Sequence, residues 1–227
     1  MSILFFSHEF FSDSSKTCSF SNIMNLIFST MPITCFGDSS RQGTYALFIL
    51  LSKKLNLSFG RFLGGRKISL DPGFYLYVGS ALGNNPASMP LARRLVRHAS
   101  RSSGKPPHKI RSQMIRFFKN NNLATSNLQP PTGKKLHWHI DYLLDSRYAQ
   151  IINVSIIRSL LRLENTVSDF AESLDETFII APKLGARDTT RGTHLLGVRN
   201  PETCICAFEQ KVTSYLQKVK EHSSVIE

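Results

Sequence analysis

The chain has 227 residues, with 28 Lys and Arg against 16 Asp and Glu, a formal net charge of +12. A 41% hydrophobic content excludes a wholly disordered chain, and no apolar run approaches the ~18 residues that a membrane span needs. The length suits one domain with extensions, at about 100–200 residues per domain, and the charge favours a polyanionic partner, nucleic acid ahead of a membrane surface, with solubility alone as the other reading.

The charge is local. Residues 72–140 contain neither Asp nor Glu but eleven basic residues: Arg93, Arg94, Arg97, Arg101, Lys105, Lys109, Arg111, Arg116, Lys119, Lys134 and Lys135. The rest of the chain carries a net charge of +1. A basic block without acids repels itself and calls for counter-ions or phosphates.

Residues 1–40 are rich in Phe and Ser, with Glu9, Asp13, Lys16 and Asp38 as their charges. They lack the basic start and continuous apolar core of a secretory signal, and no arginine precedes Arg41 as a mitochondrial address requires. The expectation is a poorly ordered extension, with Met31 as an alternative start; a Ser-rich plastid address stays open beside a cytoplasmic location. Of the four cysteines, Cys18, Cys35, Cys204 and Cys206, none shows disulfide-framework or zinc-finger spacing, which points to a reducing compartment. Cys204 and Cys206 read as thiols at a helix start or half of a metal site.

In chain order, the apolar run Gly43–Leu51 predicts a buried strand. Phe59–Leu70 predicts a second, turning at Gly64-Gly65, and Asp71-Pro72-Gly73 a turn. In the strand Phe74–Val78, Tyr75 and Tyr77 share a face; Gly79 to Pro86 reads as loop. A helix is expected over Met89–Ser102, with Ser88 as cap, Pro90 in the first turn and Leu91, Leu95 and Ala99 as buried stripe. Arg94 and His98 stand one turn apart on it. Residues 103–135 read as a basic insertion, helical over Ile110–Lys119. Then come a strand at Val154–Ile157, a helix at Thr166–Leu174, a strand at Phe178–Ala181 and a loop over Gly185–Gly197. The last element, Pro201–His222, is an amphipathic helix with Ile205, Phe208, Val212, Tyr215, Leu216 and Val219 on one face. The mixture predicts an α+β class, with an extension at 1–40, a domain at 41–200 and a C-terminal helix at 201–227.

Three constellations could carry chemistry. Tyr45, Tyr77 and Arg94, on two strands and the next helix, could converge on a phosphate, where cleavage needs a base for water, charge stabilisation and usually a carboxylate-held cation; packing tyrosines and a solvated arginine are the other reading. His137, His139 and Asp141 share a face if their segment is a strand, and His137 and Asp141 stand one turn apart if it is a helix. They are a candidate metal or general-base cluster, or a structural His/Asp network under Trp138. Asp188 and His194 lie with two arginines in the Gly185–His194 loop, by default a capped turn.

Four stretches carry a resemblance: Gly43-Thr44-Tyr45, Gly73 to Ala81 (GFYLYVGSA), Leu91 to His98 (LARRLVRH) and His137 to Leu144 (HWHIDYLL). In that order they resemble the family called domain of unknown function one-hundred-twenty-three, within the GIY-YIG nuclease superfamily and sometimes fused to endonuclease III. The resemblance spans about residues 42–198. It implies a small mixed β-sheet flanked by helices, with Gly43–Tyr45 as the GIY segment, Tyr77–Gly79 as the YIG segment, Arg94 as the catalytic arginine and His98 following it. It also implies a glutamate holding Mg²⁺ or Mn²⁺ on the helix after Val154–Ile157; alignment there meets Val167 and Asp169, with Glu164 and Glu172 nearby, so the metal ligand is left unassigned. No organic cofactor is evident.

Two departures stand out. The segment between the two motifs is longer than the hairpin of active nucleases, and Thr189 and Arg191 stand where the family stretch carries cysteines. The expected function is a metal-dependent DNA endonuclease of repair or recombination, or a non-catalytic nucleic-acid-binding module on the same scaffold. Tyr45, Tyr77, Arg94 and His98 are the candidate catalytic set, and Arg93, Arg97, Arg101, Lys105, Lys109 and Arg111 the candidate nucleic-acid contacts.

Overall fold

The computed structural model describes residues 32–83, 88–184 and 193–224. Strand β1 spans Ile33–Gly37, β2 Gly43–Leu51, β3 Leu55–Ser58, β4 Lys67–Leu70 and β5 Gly73–Ala81. Helices α1 (Pro90–His98), α2 (Arg111–Asn120) and α3 (His139–Leu144) follow, then β6 (Ala149–Arg158), α4 (Glu164–Glu172), β7 (Thr177–Ile179), β8 (Leu195–Val198) and α5 (Pro201–Ser224). Among the described residues, six strands form one sheet in the order β1-β6-β2-β5-β8-β7, with β1 parallel to β6 and every other pair antiparallel. Strands β3 and β4 form a separate hairpin. The fold is α+β: a mixed sheet flanked by helices, with a C-terminal helix.

Strand β2 is buried along all nine residues because both its edges are paired and both its faces covered. Side chains alternate across a strand. Tyr45, Leu47, Ile49 and Leu51 therefore meet Leu91 and Leu95 of α1, Met114 and Phe118 of α2 and Ile140 and Leu143 of α3 in one core. On the other face Phe48 meets Phe208 of α5 edge-on, ring centres 6.0 Å apart. The stripe Cys204, Phe208 and Val212 buries α5 against the sheet, and Ser155 of β6 donates to Glu209 at 2.8 Å. The helix expected as a separate C-terminal piece belongs to the same compact unit as the sheet. Cys204 is buried and Cys206 exposed on its first turns.

Several expectations need correction. Ile33–Gly37, placed in the extension, is a strand with ladder partners Val154–Arg158; residues 1–31 lie outside the described residues. Gly79-Ser80-Ala81, read as loop, continues β5, pairing with Tyr45, Thr44 and Gly43. The expected strand at Phe59–Leu70 is instead a hairpin starting at Leu55, with Phe59 fully buried at its turn. The helix expected to Ser102 ends at His98. Leu195–Gly197, assigned to a loop, forms β8 together with Val198, between β5 and β7.

The basic insertion is a packed layer. Ile110, Met114 and Phe118 recur every fourth residue and are fully buried, as is Leu123, with Leu128 nearly so. Even Lys134 is buried. Among the described residues, no helix is long and apolar enough to cross a membrane.

Candidate active site

Helix α1 crosses the sheet face near the end where β2 begins and β5 and β6 finish. Leu91 and Leu95 anchor it, so Arg94 and His98, one turn apart, face the sheet end. There Tyr45 of β2 sits between Gly79 of β5 and Ile156 of β6. The Tyr45 hydroxyl lies 2.8 Å from His98 Nε2, with both residues fully buried. A Cβ on Gly79 would fall 2.6 Å from that hydroxyl, so the glycine makes the room the phenol occupies. Tyr77 stands beside both rings, 6.3 Å from each.

Behind His98 lies Asp141, whose Oδ1 faces His98 Nδ1 at 3.5 Å. At the start of α3 its carboxylate accepts the backbone N–H of His137 (2.9 Å) and of Trp138 (3.0 Å). Arg97 donates to both carboxylate oxygens at 3.0 Å. Lys134 Nζ stands 3.4 Å from Oδ1 and donates to the Ser100 carbonyl at 2.9 Å. Burial pulls the Asp141 carboxyl upward, but His98, Lys134 and the backbone N–H outweigh it and hold the group well below the usual carboxylate range. Burial pushes His98 from 6.5 down to about 4, against the opposing pull of Asp141. The imidazole is therefore neutral at neutral pH. Asp141 facing Nδ1 favours the proton there, leaving the Nε2 lone pair to accept the Tyr45 hydroxyl. Burial raises Tyr45 well above the ordinary phenol value, partly relieved by Arg94; burial and the neighbouring Tyr45 raise Tyr77 also.

The Arg94 and Arg97 guanidiniums lie 4.2 and 4.3 Å from the centre of the Trp138 ring. The aromatic face and the Asp141 carboxylate hold these two cations side by side.

Sequence reasoning left one candidate residue unassigned. Glu164, the first residue of α4, accepts the Ser80 hydroxyl of β5 and faces His194 Nδ1 at 3.3 Å. Burial raises its pKa, but His194, Ser80 and Arg94 prevail and keep it ionised. Its charge raises the pKa of both Tyr45 and Tyr77, which places it near them at the end of β5. The available signal was its position as the first helical residue after β6.

The other candidates separate. His137 is exposed, His139 packs on Phe62 (5.5 Å) and Asp141 turns inward, so the three form no cluster. His194 joins Glu164, while Asp188 lies outside the described residues. Arg93 and Arg97 stand beside the site. Arg101 is buried and donates to the carbonyls of Pro106, Ser146 and Ala149, near the opposite end of β6. Lys105 pairs with Asp145 at 2.5 Å and Arg111 donates to Ser100, whereas Lys109 is exposed. Among the described residues, no group of three or more His, Cys, Asp or Glu side chains could hold a metal ion.

The family described as domain of unknown function DUF123 matches residues 44–217, which include Tyr45, Tyr77, Arg94, His98, Asp141 and Glu164. No curated protein and no solved structure matches the chain. With most of its length covered by that match, this chain belongs to the DUF123 family.

Proposed function

We propose that this protein hydrolyses phosphodiester bonds of nucleic acid, DNA in preference, as a metal-dependent nuclease of the GIY-YIG type. The observation that carries the reading is the placement of Tyr45, His98, Arg94 and Glu164, from three elements, at one end of the sheet. Glu164 suits a hard cation: Mg²⁺ is commonly held by one or two carboxylates, waters and substrate phosphates rather than by a full protein cage. Bound at Glu164, Mg²⁺ or Mn²⁺ supplies charge stabilisation to the phosphoryl oxygens.

The remaining chemistry belongs to the side chains. Tyr45 gives its O–H to His98 and keeps an oxygen lone pair for the attacking water. As the water oxygen bonds phosphorus, the water proton passes to Tyr45 and the phenol proton to His98 Nε2, so no free phenolate is required; the bond from phosphorus to the departing sugar oxygen breaks, and that oxygen takes a proton from solvent. Asp141 stabilises the imidazolium that results. Arg94 offers its guanidinium to the negative charge growing on the phosphoryl oxygens.

A second reading is a binding module on the same scaffold. It is favoured by the complete burial of Tyr45 and by the prior engagement of Glu164 with Ser80 and His194. The test is incubation with nicked, branched and single-stranded DNA, and with RNA, in Mg²⁺ or Mn²⁺. The expected result is cleavage abolished by chelation and lowered about 10²–10³-fold in Arg94→Ala. Binding without cleavage by the wild type selects the second reading, and cleavage undiminished in Arg94→Ala rejects the assignment.

A further inference from the structure

Two concavities of about 260 and 340 Å³ flank α1 and share Arg93 and Arg97. The first opens at Arg94, with Leu82 and Pro90 as apolar lining; the second is bounded by Met89, Leu128 and Gln129. They adjoin along the two shared arginines and form one trough leading away from the candidate active site. No carboxylate lines either half.

Its chemistry alternates. Arg93 is exposed, and among the described residues nothing holds its guanidinium, whereas Arg97 is fixed by Asp141. Leu128 is buried and pins its loop, which leaves Asn127 and Gln129 exposed on either side. Guanidiniums suit backbone phosphates, apolar side chains suit base faces, and amides suit base edges. A duplex keeps its base faces stacked inside and would leave that apolar floor unused. An unpaired strand presents phosphates and base faces together.

We propose that this trough holds an unpaired DNA segment next to the bond being cut, so that the preferred substrate carries a single-stranded tail or branch. The proposal rests on the nuclease reading above, but it is tested by binding alone.

The experiment uses the full chain in EDTA and fluorescence anisotropy with four labelled probes of matched sequence: blunt duplex, tailed duplex, single-stranded DNA and single-stranded RNA. Tailed duplex and single-stranded DNA are expected to bind about tenfold tighter than blunt duplex. Arg93→Glu removes about tenfold from the two favoured probes and about twofold or less from blunt duplex. Gln129→Glu, on the opposite wall, lowers the same two, and the melting temperatures of both exposed-site variants show that they fold. Blunt duplex bound as tightly as the tailed form, RNA preferred over DNA, or variants that bind like the wild type would each overturn the proposal. Because the readout needs no cleavage, a protein that binds tails and cuts nothing ends only the nuclease reading, and one that binds blunt duplex as tightly as tailed ends only the trough.

Discussion

At Gly79 the backbone of β5 passes so close to Tyr45 that a methyl group has no room. A Cβ there would lie 2.6 Å from the Tyr45 hydroxyl and 2.9 Å from Tyr77 Cε1. Gly79→Ala is therefore expected to lower stability by roughly 1–3 kcal/mol through overpacking, and to displace the phenol from His98. Chemical denaturation measures the first effect; cleavage of a branched substrate measures the second. Single residues differed in how far the sequence exposed them. Tyr45, Tyr77 and Arg94 were legible as a possible phosphate site from their places on two strands and the next helix, but their roles, and that of His98, came from the resemblance of the surrounding stretches to a known family. Asp141 was visible as a titratable group, but not as the acceptor for Arg97 and the neighbour of Lys134, because those contacts join segments whose packing no local pattern specifies. Glu164 was one acid among several until the end of β6 set where α4 starts.

Among elements, α5 is held by one deeply set ring. Phe208 is fully buried and meets Phe48 edge-on. Phe208→Ala should cost about 3–5 kcal/mol, the range for a large aromatic removed from a core. Urea unfolding should show one shared, lowered transition; an unchanged midpoint would mean that the helix contributes nothing to the sheet domain. The α5 stripe was readable from its period, and β2 from its apolar run. The helix within the segment after α1 was read close to its observed bounds, but its buried face of Ile110, Met114 and Phe118 was passed over because the charge of the segment drew attention to its surface. Gly79-Ser80-Ala81 was misread because glycine commonly marks a turn, while here it marks a close approach between strands.

For the whole molecule, acid enters the charge pattern from just outside the basic window. Asp141 takes Arg97 and faces Lys134, and Asp145 takes Lys105, so part of the excess is neutralised internally and the charge left facing solvent is concentrated at positions such as Arg93. The buried groups also predict a pH dependence. Burial depresses His98 from 6.5 to about 4, and burial together with Arg101 depresses His108. Below pH 6.5 the unfolded chain takes up protons that the folded chain refuses, so stability falls as pH drops toward 4. The Asp141 and Asp145 carboxyls are held below their ordinary value of 3.8 by their partners despite burial; their contribution is full above that value and is lost on further acidification. Calorimetry from pH 7.5 to 4 should show a melting temperature that begins to fall near pH 6.5, whereas a flat profile would contradict the buried neutral histidines.

The parallel pairing of β1 with β6 has a consequence for the order of assembly. Strand β2 can pair with β5 soon after both are made, but Ile33 must wait for Val154 before its ladder exists. The first strand of the sheet in sequence is thus among the last that can dock during synthesis, and it closes the edge beside β6 after the β2–β5 hairpin, which carries both tyrosines, has already formed.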